Sequence, residues 1–239
     1  MSAPITFDNS YGQLPANFYT RQALQPVTKP SLIKVNLDLA HQLGVDPTWL
    51  QTKDATQAFA GNALLPGADP LATVYAGFQF GNWNPQLGDG RALLLGEILT
   101  DTGQRFDLQL KGSGPTHYSR GGDGRSPLGP VLREYLVSEA MNALGVPTTR
   151  ALAAVTTGEP VYREQQEPGG VLTRVASSHI RFGSFQYFSG EQDQASLRRL
   201  ADYTIDRHYP DLQASEQPYL ALLNQVIEQI AQLIARAES

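Results

Sequence analysis

The 239-residue sequence lacks the features expected of a disulfide-bonded protein, of an enzyme with a thiolate nucleophile and of a membrane protein. It contains no cysteine, which excludes disulfides, thiolate nucleophiles and cysteine metal sites. Its four histidines, at positions 41, 117, 179 and 208, are scattered without metal-ligand spacing, so we predict no metal site within this chain. No apolar run is long enough to span a membrane, and the N-terminus lacks a charged start followed by an apolar core. We therefore expect a cytoplasmic protein with no membrane partner.

Positive charge is scarce overall but concentrated locally. The formal net charge is −5, which disfavours nucleic acid as a partner, and only four residues are lysines. The length of 239 residues is sufficient for one large domain or two small ones with an ordinary core, and the 41% hydrophobic content argues against disorder. A guanidinium group can donate two parallel hydrogen bonds to two oxygens of one phosphate. The arginines of the central region therefore indicate a local anion site. These are Arg91, Arg105, Arg120, Arg125, Arg133, Arg174 and Arg181.

The central stretch reads as a strand, a glycine-rich loop and a helix. Apolar and polar residues alternate over Arg105–Lys111, which is the period of a half-buried strand. The following helix has Pro130 in its first turn and stops at Gly145. Lys111 would then end the strand and Glu134 would lie one turn into the helix, the arrangement with which protein kinases hold nucleotide phosphates. The simpler alternative is a solvent-facing strand lysine and an exposed helical glutamate.

The remaining patterns predict an α+β fold with a protein-kinase-like lobe. Residues 1–70 read as a proline-punctuated extension that wraps the lobe, with helical signals near Lys34–Leu43 and Pro47–Gln51. Residues 71–178 form the lobe, a five-stranded antiparallel sheet with one inserted helix after the third strand. Residues 179–239 begin an incomplete helical lobe, with helices at Gln194–His208 and Tyr219–Ala235. The expected strands are Thr73–Phe80, Ala92–Leu99, Arg105–Lys111, Thr149–Thr156 and Gly170–Ser177, the last two separated by the polar loop Gly158–Gly169.

Four long strings carry a family resemblance: GFQFGNWNPQLGDGRALLLGE, LQLKGSGPTHYSRGGDGR, LREYLVSEAMNALGVPTTRALA and VLTRVASSHIRFGSFQYF. They resemble the SelO family, pseudokinase-like enzymes with a kinase fold, over nearly the whole chain. The resemblance implies protein adenylylation, in which AMP from ATP is transferred to a Ser, Thr or Tyr hydroxyl of a protein substrate with Mg²⁺ or Mn²⁺. It also implies that ATP lies reversed relative to ordinary kinases, so that attack falls on the α-phosphorus.

Matched motif by motif, the resemblance assigns ATP contacts to eight residues and an ion pair with Lys111 to Glu134. The eight are Gly88, Gly90, Arg91, Lys111, Asp123, Gly124, Arg174 and Arg181. The family's catalytic Asp and metal-binding Asn lie in a string resembling HGVMNTDN, and a second metal-binding Asp lies in a DYGP-like string. Neither string occurs here. We therefore expect the amino-terminal half of such an enzyme, with no catalytic or metal-binding residue in this chain.

Other interpretations of these residues and of the function stay open. Gly88 and Gly90 could be ordinary hairpin glycines, and Asp123 could only form a turn. The chain could also be part of a conventional protein kinase that transfers the γ-phosphate, or an inactive fragment that binds nucleotide or a partner. The apolar stripe of the last predicted helix needs a partner face, which predicts self-association.

Overall fold

The computed structural model describes residues 4–238, which form one large antiparallel sheet with helices on both faces. The first strands and helices are β1 (Tyr19–Arg21), β2 (Ser31–Val35), α1 (Leu37–Leu43), α2 (Pro47–Leu50), α3 (Lys53–Phe59), β3 (Leu71–Thr73), β4 (Gly77–Gln79), β5 (Asn82–Asn84), β6 (Ala92–Leu99) and β7 (Arg105–Lys111). They are followed by β8 (Ser126–Pro127), α4 (Leu128–Ala143), β9 (Arg150–Tyr162), β10 (Gln166–Ala176), α5 (Phe182–Gly190), α6 (Gln194–His208) and α7 (Pro218–Glu238).

The sheet runs in the order β1-β3-β6-β7-β10-β9-β2, with the short β8 paired to β10. All of its pairs are antiparallel, and β4 pairs with β5 in a separate hairpin. Strand β7 is central, and its last residue, Lys111, lies between Ala92 of β6 and Leu172 of β10. Sheet topology therefore brings the end of β7 beside two neighbouring strands at one edge of the molecule.

Both faces of the sheet are covered by apolar clusters. One cluster joins strands β6, β7, β9 and β10 to helices α1–α3 through residues such as Leu39, Leu50 and Phe59. A second cluster, which includes Phe18, Phe188 and Leu200, joins the other part of the sheet to α5 and α6. Because each cluster removes its apolar side chains from water, the hydrophobic effect fixes the two layers against the sheet.

Several predicted elements are confirmed. Strands at Ala92–Leu99 and Arg105–Lys111 and the helix at Gln194–His208 have the predicted bounds, and the helix that carries Glu134 follows the third predicted strand. The sheet is antiparallel, as expected. The division into residues 1–70, 71–178 and 179–239 stays a prediction.

The prediction of a five-stranded sheet is wrong: the sheet has eight strands. Two of the added strands, β1 and β2, come from residues 1–70, so this part of the chain contributes strands as well as helices. Strand Thr73–Phe80 is also divided, because the Val74 amide donates to the Phe18 carbonyl and the Ala76 amide to the Gly183 carbonyl. These long-range bonds draw the chain out of the sheet, and residues 77–79 pair in the hairpin instead.

Two further expectations were wrong in detail. The segment Gly158–Gly169 is mostly strand, since β9 extends to Tyr162 and β10 begins at Gln166. Strand β7 is buried on both faces, because its polar residues Asp107 and Gln109 are only 3% and 0% exposed. The alternation of Arg105–Lys111 therefore separates an apolar layer from a buried polar layer.

A buried ion network fastens this polar layer to helix α6. Arg207 donates to Glu97 at 3.0 Å and to Asp107 at 2.5 Å, and the three side chains are 4%, 1% and 4% exposed. Burial alone would raise the pKa of Asp107, but the hydrogen bond from His179 and the charge of Arg207 lower it overall. Glu97 also accepts from the Ser10 amide at 2.8 Å. One network therefore joins the N-terminal segment, the sheet and the helices.

None of the helices within residues 4–238 is long and apolar enough to cross a membrane. Helix α7 is amphipathic, with Leu222 as its one buried residue. Its exposed apolar side chains are Leu220, Leu223, Ile227, Leu233 and Ile234.

The substitution Arg207→Met should reduce the free energy of unfolding by about 3 kcal/mol, because it leaves two buried carboxylates short of their counter-charge. Urea titration followed by circular dichroism measures the change. Arg199→Met, an exposed position on the same helix, is the matched control and should change stability by less than about 0.5 kcal/mol. Equal stability of the two variants would contradict the assigned role of Arg207.

Candidate functional site

A cavity of about 440 Å³ opens where β7 ends and β6 begins. Its walls come from the turn before β6, the loop between β7 and β8, strand β10 and the segment before α5. All eight residues predicted to contact ATP line it: Gly88, Gly90, Arg91, Lys111, Asp123, Gly124, Arg174 and Arg181. The structure therefore brings together residues that lie up to 93 positions apart in the sequence.

The lining is strongly cationic although the chain is acidic overall. Asp89 and Asp123 are the two carboxylates of the lining. Such an excess of positive charge in a concave surface attracts and concentrates anions. The seven basic residues are Arg91, Lys111, Arg120, Arg125, Arg163, Arg174 and Arg181.

Glu134 pairs with two of these cations at once. Lys111 Nζ donates to Glu134 Oε2, and Arg174 Nη1 donates to Glu134 Oε1 at 3.3 Å. The strand–loop–helix order of the sequence predicted the contact between Lys111 and Glu134. In the structure α4 packs against β10, the strand beside β7, and this brings Glu134 close to Lys111. The second cation on the same carboxylate was not predicted. One negative charge for two positive charges leaves this wall of the cavity cationic.

The electrostatics of the pair reflect this imbalance. Burial lowers the pKa of Lys111, the contact with Glu134 partly offsets that effect, and the neighbouring positive charges of Arg174 and Arg91 lower the pKa further. Burial likewise lowers the pKa of Arg174, although Glu134 and Asp89 oppose the change. The protonated form of each side chain is thus less stable here than in water, and an added anion would stabilise the protonated forms of both.

On the opposite wall Arg181 lies over the ring of Tyr75, with its guanidinium carbon 4.7 Å from the ring centroid. Its Nη2 is 4.0 Å from Asp89 Oδ1. Sequence reasoning placed Arg181 in the site but treated Asp89 only as part of a glycine turn. The sole sequence signal for Asp89 is its position between two glycines assigned to the site.

The three predicted glycines have a clear steric requirement. Gly88 and Gly124 both have φ near +62°, a backbone region that favours glycine. A Cβ at Gly88 would overlap the ring of Tyr118, and one at Gly124 would overlap the carbonyl of Gly114. A Cβ at Gly90 would lie 2.8 Å from the Tyr118 carbonyl oxygen. The glycines therefore let the loop after β7 lie against the turn before β6, which closes one side of the cavity.

Asp123 is already paired with Arg163, a residue that sequence reasoning missed. The Asp123 carboxylate accepts two hydrogen bonds from Arg163, at 2.9 and 3.0 Å, and one from the Arg125 amide at 3.0 Å. The bonds from Arg163 hold the pKa of Asp123 below its ordinary value. Arg163 lies in the tight turn between β9 and β10, which the sequence pattern placed inside a polar loop. Only the length of the two strands brings it to the cavity.

The residues fit a polyphosphate better than they fit a metal ion. Arg174 lines the cavity, and each of its terminal nitrogens donates one hydrogen bond to the protein, so a second N–H on each can donate to a phosphate oxygen. In contrast, residues 4–238 contain no group of three histidine, aspartate or glutamate side chains placed to hold a metal. No metal-dependent step is therefore assigned to these residues.

Comparisons with known proteins agree with the character of the site. A family model described as protein adenylyltransferase SelO matches residues 2–239. Among curated proteins named protein nucleotidyltransferase YdiU, that of Rhizobium rhizogenes is 62% identical over 98% of this chain and 46% of its own length. Those of Alkalilimnicola ehrlichii and Rhizobium meliloti are 59% and 62% identical over 96% of this chain. The chain spans about half the length of these relatives.

The substitution Glu134→Gln should lower the pKa of Lys111 further, because Glu134 is the group that favours the charged ammonium. A lower pKa means more neutral amine at pH 8–9, and Lys111 should therefore be acetylated faster in the variant. Peptide mass spectrometry after a timed pulse of acetic anhydride measures the rate. Glu139→Gln, on the same helix but paired with Arg150, is the control. An acetylation rate of Lys111 equal to that in the wild-type protein would contradict the electrostatic role of Glu134.

Proposed function

The chain belongs to the SelO family of protein adenylyltransferases, and we propose on this basis that its cavity binds the triphosphate of ATP for transfer of AMP to proteins. The acceptor would be a Ser, Thr or Tyr hydroxyl of a protein substrate. The observation that carries the proposal is the convergence of the eight assigned residues on one cationic cavity. We further propose that the protein acts in the cytoplasm.

The burial of Arg174 supports a reversed ATP. Its side chain is 13% exposed, so a terminal phosphate bound beside it would compensate a charge that is costly when alone. With the γ-phosphate at the inner end, the α-phosphate would lie nearer the mouth, where an acceptor protein can approach. This orientation is a proposal that follows from the charge distribution.

The reaction proposed is an in-line displacement at the α-phosphorus. The hydroxyl oxygen of the acceptor forms a bond to that phosphorus, the bond to the α–β bridging oxygen breaks, and pyrophosphate leaves with the electron pair. Lys111, Arg174 and Arg181 would stabilise the charge on the triphosphate and on the departing pyrophosphate. The group that accepts the hydroxyl proton is expected in the part of the relatives that this chain does not cover. The residues that bind the Mg²⁺ or Mn²⁺ of the family are expected there as well.

Lys111 and Glu134 also favour a second candidate, a conventional protein kinase. The lysine on a strand and the glutamate on the next helix are arranged as in that class. A kinase would transfer the γ-phosphate, so the two candidates differ in which phosphorus reaches the protein. A third candidate is a domain that binds nucleotide or a partner without catalysis.

In a protein that contains this chain together with the remaining half found in the relatives, label from α-³²P-ATP should appear on protein substrate, and label from γ-³²P-ATP should not. Lys111→Ala should reduce AMP incorporation by at least ~100-fold, the scale expected for removing one electrostatic group from a transition state. Protein labelled from γ-³²P-ATP alone would identify a kinase. ATP binding without either label would identify the non-catalytic candidate.

We also propose that the chain on its own self-associates through the exposed apolar face of α7. Light scattering should show a mass that rises with concentration, because pairing of two such faces buries apolar area. The paired substitutions Leu223→Gln and Ile227→Gln should restore the monomer. The control Gln225→Ala, which lies on the other side of the same helix, should not. A monomer at all concentrations would contradict the proposal.

A further inference from the structure

Two buried polar residues, Asp89 of the cavity lining and its neighbour Gln109, have no role in the function proposed above. They are 3% and 0% exposed. Burying polar groups is unfavourable unless their hydrogen bonds are made, so their partners show what these residues do. Those partners include two arginines of the cavity, Arg174 and Arg181.

The carboxylate of Asp89 is held in one orientation. Its Oδ2 accepts from the Thr73 amide at 3.1 Å, from the Thr73 hydroxyl at 2.6 Å and from Gln109 Nε2 at 3.4 Å. Its backbone carbonyl accepts from the Thr116 hydroxyl at 2.6 Å. With Oδ2 occupied, Oδ1 is the oxygen that faces Arg181, at 4.0 Å from Nη2.

Gln109 transmits this order to the second arginine. It lies opposite Arg174 in the pairing of β7 with β10, so the two side chains share one face of the sheet. While its amide nitrogen donates to Asp89, its amide oxygen accepts from Arg174 Nη2. Arg174 is bound at its other terminal nitrogen by Glu134, and its Nε stays without a partner. The guanidinium is thus held by two acceptors and keeps a second N–H on each terminal nitrogen that can donate to a ligand.

We propose that Asp89 and Gln109 are positioning residues that set the direction of Arg174 and Arg181 toward the terminal phosphate of a nucleoside triphosphate. The inference deepens the proposed function and rests on it. Two neighbouring guanidiniums repel each other, and Asp89 and Gln109 offset that repulsion without filling the cavity. A terminal phosphoryl group, with three free oxygens, is the ligand that two such guanidiniums can share. With the nucleoside held nearer the mouth, the third phosphate of a triphosphate would reach the pair and the shorter chain of a diphosphate would not, so the pair favours a triphosphate.

Asp89→Asn separates positioning from simple charge, because the two accounts predict opposite signs. A buried negative charge beside an anion site opposes anion binding, so on charge alone the variant would bind ATP more tightly. If Asp89 positions Arg181, binding weakens. Asparagine has one acceptor oxygen, and using it for Thr73 turns the amide NH₂ toward Arg181, a donor facing a donor.

Calorimetric titration of the complete chain with ATP and with ADP gives the test. Asp89→Asn and Gln109→Met should each weaken ATP binding by at least ~10-fold, the effect of losing about 1.4 kcal/mol, and ADP binding by less than ~3-fold. Asp69→Asn, which breaks an exposed pair with Arg21 outside the cavity, is the matched control and should leave both affinities unchanged.

Since loss of a buried partner can also unfold a chain, a milder variant accompanies these two. Thr73→Val keeps the shape of the side chain and removes one bond to Asp89 from outside the cavity lining. It should weaken ATP binding by about 3-fold, a fraction of one hydrogen bond to a charged group, without lowering the ATP-to-ADP preference to that of Asp89→Asn. Thermal unfolding confirms that each variant is folded before it is titrated.

The outcomes are distinct. Unchanged or tighter ATP binding in folded Asp89→Asn and Thr73→Val would overturn the positioning role while leaving the proposed function intact. Equal weakening of ATP and ADP would overturn the preference for a terminal phosphate. Wild-type protein that binds no ATP would overturn the proposed function and, with it, the inference.

Discussion

The site depends on one carboxylate that is shared by two partly buried cations. Glu134 lies between Lys111 and Arg174, and neither cation has a second carboxylate within hydrogen-bond distance in residues 4–238. Removing cations from water is costly, and one anion cannot offset two of them. The fold maintains this unfavourable arrangement because strands β7 and β10 and helix α4 fix the positions of all three side chains. An anionic ligand would relieve it, and for this reason we propose that the cavity binds an anion.

The rest of the molecule supports that arrangement. Strands β7 and β10 pack one face against the apolar cluster that includes α1–α3, and the network around Arg207 ties the other end of β7 to α6 and to the N-terminal segment. The same strand thus carries a buried ion network at Asp107, the buried Gln109 and, at its end, Lys111 of the cavity lining. Its alternation places these three on one face, so structural and functional polar groups share a single layer.

The sequence allowed the local elements to be predicted, because apolar periodicity and glycine positions depend on near neighbours. Strands β6 and β7, helix α6 and the Lys111–Glu134 contact belong to this class. Edge strand β2 was not predicted, since its partners in β9 lie more than 100 residues away. The break after Thr73 was not predicted either, since the Ala76 amide donates to the distant Gly183 carbonyl. The motif strings pointed to the eight residues around the cavity. They gave no indication of Arg163 or Gln109, whose importance comes only from tertiary contacts.

The central claim is that the cationic cavity binds the triphosphate of a nucleotide. A crystal structure of this chain with a non-hydrolysable ATP analogue tests it most directly. We expect a phosphate group within hydrogen-bond distance of the terminal nitrogens of Arg174 and Arg181, with the other phosphates extending past Lys111 toward the mouth. Phosphates bound outside the cavity, or a cavity filled only by solvent at saturating analogue, would contradict the account.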